Sequence, residues 1–546
     1  MKAPIESLEL RIAPAGIVSF LYDPVAGVLT LTGDDAPNAF EVFKTGPATW
    51  RVEGRPDALG ADTLLAADGT KRLDMPKLTR LTIVTNGGND DFSLRNLSLL
   101  SLSVDTGAGD DTVKSSALSV SGAAAFDLGA GVDTVDLGGL TTTIGGRLTV
   151  SDVSEGVTFN LGAVAVKVGD IVFNGGTGND RLSSSEFTTL NIARAIVFDG
   201  GSAGLNSVRF GEQGTTTVGR NAAGQSIAFT GGNGVDSISI GGSAVTFRGG
   251  IEMNGGGGAD ELDLDGVRVS VGKTVAGVSL LLDGGAGADQ IDLEGASVVL
   301  AGSLKMLGGT EADLLDLTNM HRFTATRIEF DGGAGADVFA IEADLLKIAA
   351  GIRFDGGDDA DSASIEADGT IAGPVELLLG GATSGLQETA IRGESGLAGS
   401  LRLLGALTVD ATGAAAGADA LKLTDVSVAK QIALTLGDGI STVDIDNLTA
   451  ALAFSLDTRG GADIVQIERD ATFGASVFRK TATILLGTGA DLLEIGKDSK
   501  NNRATFSGLL TADGGEGGDT SNDLLLNNSF IGTGSLLAIS IETLVP

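Results

Sequence analysis

The sequence predicts an all-β chain folded as a parallel β-helix (β-solenoid) of about 20 coils of roughly 24 residues, and three observations predict it. A glycine-rich turn ending in aspartate, GGxGxD, recurs between Asp90 and Asp519. Its spacing is regular: DGGAGADQIDL places its aspartate at Asp289, GGTEADLLDL at Asp313, DGGAGADVFAI at Asp337 and DGGDDADSASI at Asp361, three successive intervals of 24 residues. Apolar residues then stand two and four positions after the aspartate, as Leu262 and Leu264 or Phe339 and Ile341 do, which is strand period and not helix period.

Each element of a coil follows from this pattern. One alternating strand leads into the turn (Ile196 and Phe198, Ile251 and Met253, Ile328 and Phe330, Ile352 and Phe354), and a second leaves it. The remaining residues leave room for a third short strand such as Ser297–Leu300, the arithmetic of a three-faced coil. A hairpin meander is disfavoured, because hairpin turns run to roughly two to five residues and would not keep one motif per ~24 residues with the same inward pair. Stacking at ~4.8 Å makes the repeat region a rod of roughly 85–90 Å. Looser copies end at Asp111, Asp133, Asp180, Asp236, Asp260, Asp463 and Asp491, with intervals of 21 to 30 residues and insertions mapping to loops on one side.

Composition narrows the functional classes. Glycine numbers 84 without a collagen triplet, and proline only nine. The formal charge is −35, and the acid belongs to the repeats: residues 1–80 hold nine Lys/Arg against eleven Asp/Glu, the remainder 27 against 60. Such a field repels nucleic acid and attracts cations, so no nucleic-acid partner is expected. Cysteine is absent, which removes disulfides and thiolate chemistry. No apolar run reaches the ~18 residues of a membrane span, and MKAPIESLELRIAPA lacks an apolar signal-peptide core, so any signal has been removed or export uses another address. With one Trp, one Tyr and one His, the chain is poorly supplied for sugar cleavage; no nucleophile elbow, phosphate loop or HExxH string occurs, and His321 is expected to be solvated or capping. No enzyme is expected.

The candidate metal ligands are the turn carboxylates. Asp283 with Asp289, Asp331 with Asp337 and Asp355 with Asp361 flank single turns, and Asp260 and Asp313 are the motif aspartates of neighbouring coils. A hard cation wants six to eight oxygens, and stacked turns offer carboxylates and glycine carbonyls. The metal-free alternative stays open: glycine supplies positive φ, and aspartate bonds to nearby backbone. An outward acidic column, with Asp263, Asp292 and Asp316 on successive coils, needs screening or a bridging cation.

The turns Gly284, Gly285, Gly287, Asp289 and Gly332, Gly333, Gly335, Asp337 resemble those of the RTX nonapeptide family, whose GGxGxDxUx turns bind Ca²⁺ between coils of a parallel β-roll. The resemblance implies Ca²⁺ as cofactor. It is local, since that family repeats the motif every nine residues. Several copies also depart from it: Glu311 and Asp359 replace a motif glycine, and Asn206 and Ser441 replace the aspartate. LELRIAPA resembles the LEPR-type N-terminal motif of exported bacterial surface proteins built from Gly/Asp-rich solenoids, with Leu10 where that motif has proline. It implies an extracellular or cell-surface fibre subunit or adhesin.

Three regions are expected. Residues 1–14 form an exchange or capping strand, with Leu8, Leu10 and Ile12 on one face; residues 15–80 an N-terminal cap or adaptor; residues 81–546 the solenoid, ending in an uncapped coil with Leu537, Ile539 and Ile541 alternating. An uncapped end exposes apolar surface and unpaired strand groups. The expected partner is a second copy, with one N-terminal strand donated head-to-tail to the next C-terminal coil, and beyond it a cell-surface or extracellular polymer. The alternative is a strand folded back on its own chain, leaving a monomeric adhesin.

Overall fold

The computed structural model describes residues 16–546 except 59, 66–68, 212, 382–384, 394–399, 413–416, 469–473, 497–503, 516–523, 528–534, 540–542 and 546. The chain divides into two compact units, Met1–Gly219 and Arg220–Pro546. Among the described residues every regular element is a β-strand. Among the described residues no helix is long and apolar enough to cross a membrane.

One coil of the second unit illustrates why these residues fold as they do. In Ile328–Ala334, Ile328 and Phe330 are buried while Glu329 and Asp331 turn outward. After the glycine turn, Val338–Ile348 buries Phe339, Ile341 and Ala343, bends, and buries Leu346 and Ile348. Ile352–Asp358 begins the next coil and pairs parallel with Ile328–Ala334, Ile352 opposite Ile328 and Phe354 opposite Phe330. Like residues therefore stack on like. Phe354 lies 5.2 Å from the Phe330 ring and 5.7 Å from Phe339, so phenylalanines fill the interior layer by layer. Each fully buried ring contributes roughly 1.5–3 kcal/mol of transfer free energy.

Each unit thus has three parallel sheets: a first leading into the glycine turn, a second leaving it, and a third that closes the coil. The second unit's first sheet runs from Gln225–Thr230 through Gly250–Gly257, Val278–Ala286 and Ser303–Thr310 to Leu510–Asp513 and Leu536–Ile539. Between second and third sheets the chain turns through left-handed residues such as Asn319 (φ 55°) and Asn447 (φ 53°), and the pairing register slips there, for instance between Leu317 and Met320. The repeat amounts to about 17 turns of ~24 residues, slightly fewer than the 20 expected. The third sheet is the narrowest, being reduced in places to two residues, as at Thr449–Ala450 and Thr505–Phe506.

The first unit follows the same plan. Parallel stacking already begins at Val28–Thr32, paired with Arg80–Val84, and at Ala39–Gly46, paired with Asp91–Leu99. Antiparallel strands join that first layer: Ser19–Asp23 on Val28–Thr32, and Thr49–Gly54 with Arg72–Met75 beside Ala39–Gly46. The stretch expected as a cap therefore carries both antiparallel strands and the first parallel rung. Phe40 stacks on Phe92 at 4.9 Å and Phe173 on Phe198 at 4.6 Å.

Candidate functional site

The motif aspartates do not point outward; they cross the turn and bind the neighbouring coil. In the second unit the backbone N–H of Asp236 donates to Asp260 Oδ1 at 2.8 Å, that of Asp260 to Asp289 at 2.8 Å, and that of Asp289 to Asp313 at 2.7 Å. Asp313 donates to Asp337 at 2.8 Å and Asp337 to Asp361 at 2.9 Å. The same rung links Ser441 to Asp463 and Asp463 to Asp491. In the first unit it links Asp90 to Asp111, Asp111 to Asp133, and Asp180 to Asn206, where an amide oxygen accepts at 3.2 Å. A turn N–H that the sheets leave without a carbonyl is thus satisfied by a side chain one coil on, as buried backbone requires.

The glycines explain how the carboxylate fits. A Cβ at Gly284 would stand 1.8 Å from Asp289 Oδ2, and one at Gly332 2.0 Å from Asp337 Oδ2. The first motif glycine is the floor on which the second carboxylate oxygen rests. The next two, Gly285 (φ 97°) and Gly287 (φ 125°), hold left-handed backbone. Where the last is replaced, Glu311 takes φ 69° and its side chain accepts the Gly287 N–H at 2.9 Å.

The electrostatics follow from this burial. Oδ2 of Asp260, Asp289, Asp313, Asp337 and Asp361 is buried without a hydrogen-bond partner. Desolvation pushes Asp313 up to about 7, against the Asp289 N–H, which lowers it; the carboxylates of Asp337, Asp289 and Glu311 push it further up. Burial likewise raises Asp260, Asp337 and Asp361 to about 7 and Asp289 to about 6. In the first unit Asp90 and Asp133 are pushed to about 7 by the same cause. Burial thus moves their titration toward neutrality, where those near 7 are about half protonated, with one oxygen accepting and the other free to carry the proton.

The remaining predicted ligands lie on the other side of the strand. Asp283 and Asp331 are exposed, and Asp355 is half-buried and paired with Arg353 at 2.5 Å. Leu307 separates Asp283 from Asp331 in the stack. Among the described residues no three His, Asp or Glu side chains converge on one point. An ion at these turns would have to draw on a buried Oδ2, the exposed carboxylate beside it and backbone carbonyls.

Of the expected assembly residues, Leu8, Leu10, Ile12 and Ile541 lie outside the described residues. Leu537 pairs with Thr511 and Ile539 with Asp513 at the end of the first sheet. Leu537 is 46% exposed, an apolar side chain open to solvent. His321 is exposed, its Nδ1 2.6 Å from Asp344 Oδ2.

Two features escaped the sequence reading. The outward column at Asp263, Asp292 and Asp316 is partly enclosed: burial raises Asp292 to about 7, with Asp316, Glu294, Asp263 and Glu261 adding, and Asp292 Oδ1 and Asp316 Oδ1 are buried without partners. A second buried ladder occupies the other corner, where Asn447 Nδ2 donates to Asp425 Oδ1 and the Asn447 N–H to Glu468 Oε1 at 2.8 Å. Its signal was a polar residue just beyond the inward pair (Asp425 after Leu423, Asn447 after Ile445). The chain matches no family model and no curated protein.

Proposed function

We propose that this chain is an extracellular structural protein, a β-solenoid subunit that associates head-to-tail into a cell-surface fibre or layer. The observation that carries the reading is the aspartate ladder. The residues most able to do chemistry, repeated in coil after coil, are committed to backbone hydrogen bonds between coils. A translational stack of identical rungs has no geometry that closes it, so its self-association is heterologous and open-ended. Calcium would stabilise the turns only by displacing the proton from a buried Oδ2, with an exposed carboxylate such as Asp283 or Asp331 and backbone carbonyls completing its oxygen shell.

The test is electron microscopy of the purified protein with calcium and after chelation. Filaments in calcium that fall apart on chelation support both parts of the reading, and filaments under both conditions support assembly without the ion. Single particles under both conditions overturn it in favour of a monomeric adhesin.

A further inference from the structure

Two coils of the second unit break the repeat in the same way. The intervals ending at Asp236 and Asp289 are 30 and 29 residues, and the extra residues are Arg220-Asn221-Ala222-Ala223-Gly224 and Lys273-Thr274-Val275-Ala276-Gly277. Both read cation-x-x-Ala-Gly and both are followed two positions on by serine, Ser226 and Ser279.

The structure makes these loops a pair. Each closes on itself: the Asn221 N–H donates to Gln225 O at 2.9 Å, and the Thr274 N–H to Val278 O at 2.8 Å. Gly224 (φ 85°) and Gly277 (φ 90°) supply the left-handed residue that ends each loop. Ser226 and Ser279 are the bulged residues in the register, fully buried, and their Oγ atoms accept the Gly249 and Gly302 N–H groups of the following coils at 2.8 Å.

One tight coil, turning at Gly249–Gly250, lies between them, and the loops meet over it, the Val275 N–H donating to Ala223 O at 2.9 Å. Gly249 and Gly250 leave the room, since a Cβ there would stand 2.0 Å from Gly224 O and 2.6 Å from Val278 O. The result is an open recess of about 530 Å³ lined by Arg220, Asn221, Gly224, Lys273, Thr274 and Val275.

In a chain of net charge −35, this recess is cationic. Arg220 and Lys273 are exposed, Arg248 is exposed on the coil between, and none of the three has a carboxylate partner among the described residues. Glu252, the acid that reaches the first loop, is held by the Gln225 side-chain amide. The volume suits a small ligand, and a guanidinium beside an ammonium on rigid, hydrogen-bonded loops suits oxyanions.

We propose that the recess between Arg220–Gly224 and Lys273–Gly277 is a binding site for a carboxylate or sulfate group, free in solution or carried on an acidic saccharide. It does not depend on the fibre reading, because all of it lies within one chain.

The experiment is isothermal titration calorimetry of the full chain at low ionic strength with trigalacturonate, inorganic sulfate and neutral maltotriose. Binding of either anion supports the site: trigalacturonate alone marks a saccharide-borne group, and sulfate alone a free one. Arg220→Gln with Lys273→Gln should weaken that binding roughly tenfold or more, by loss of charge-assisted hydrogen bonds, whereas Arg402→Gln should not. Val275→Asp, a change at a residue 82% exposed, should abolish binding without altering the melting temperature. No binding of either anion, equal binding of maltotriose, or an unaffected double variant overturns the proposal.

Discussion

Replacing Asp313 by asparagine tests whether the ladder holds protons or ions. Asparagine keeps the Oδ1 acceptor for the Asp289 N–H, 2.7 Å in the native chain, and puts a neutral amide where Oδ2 is buried without a partner. Asn206 already fills a ladder position this way. The folded carboxyl titrates near 7, its unfolded counterpart near 3.9. The folded form therefore binds more protons between about pH 4 and 7, and stability falls as pH rises through that window: full below the unfolded value, lost above about 7. About three units at 1.36 kcal/mol each bound the loss at about 4 kcal/mol for one group, less once neighbouring rungs titrate together. Asp313→Asn should hence stabilise the chain by about 1–4 kcal/mol at pH 8 and by about a third of that at pH 5, about one unit above the unfolded value, read as guanidinium midpoints followed by far-ultraviolet circular dichroism. A variant less stable than the parent at pH 8, with the difference removed by chelator, would refute the proton ladder and show an ionised carboxylate serving calcium.

Three further outcomes follow from the same geometry. Gly332→Ala forces its Cβ against Asp337 Oδ2 and should cost about 1–3 kcal/mol as an overpacked turn; with Asp337→Ala added, the combined loss in denaturation should fall short of the sum of the single losses. Phe354→Ala removes a buried ring touching Phe330 and Phe339 and should cost about 3–5 kcal/mol by the same measurement. Asp292→Asn, in the outward column, should raise the melting temperature at pH 8 and low salt by relieving burial and the Asp316, Glu294 and Asp263 charges, and the gain should shrink as salt is added.

The sequence made some of this legible and concealed the rest for identifiable reasons. Inward pairs such as Leu262 and Leu264 were readable because strand alternation fixes which side chains face the core, and these are fully buried. The same alternation places Leu282 inside and so Asp283 outside, away from Asp289. What spacing could not reveal is where a turn side chain goes. Asp289 could close its own turn, hold an ion or cross to the next coil, and only the stacking offset brings the Asp260 N–H to its Oδ1. The third strand has no signature of its own in the sequence: Thr449–Ala450 and Val477–Phe478 are too short to show a period. Alternation at Leu537 left two phases open in the sequence, and its pairing with Thr511 selects one.

A repeat that spends its polar residues on stacking constrains where binding can evolve. Changing a ladder aspartate or its floor glycine disturbs two coils at once, since each carboxylate serves the neighbouring backbone while resting on its own turn. The outward strand positions are freer, but their side chains stand in register one rung apart, so a charge placed there meets its like, as Asp263, Asp292 and Asp316 do. Corners escape both limits. An insertion at a corner leaves the three sheets in register when a single bulged residue absorbs the offset, which is what Ser226 and Ser279 do, their hydroxyl oxygens accepting the next coil's glycine N–H. Two such insertions, one coil apart, face each other across a glycine floor and can carry unlike chemistry without disturbing a ladder. Anion binding there works against the field of the acidic repeats and rests on the loop cations, which, clear of the ladders, have no carboxylate partner among the described residues.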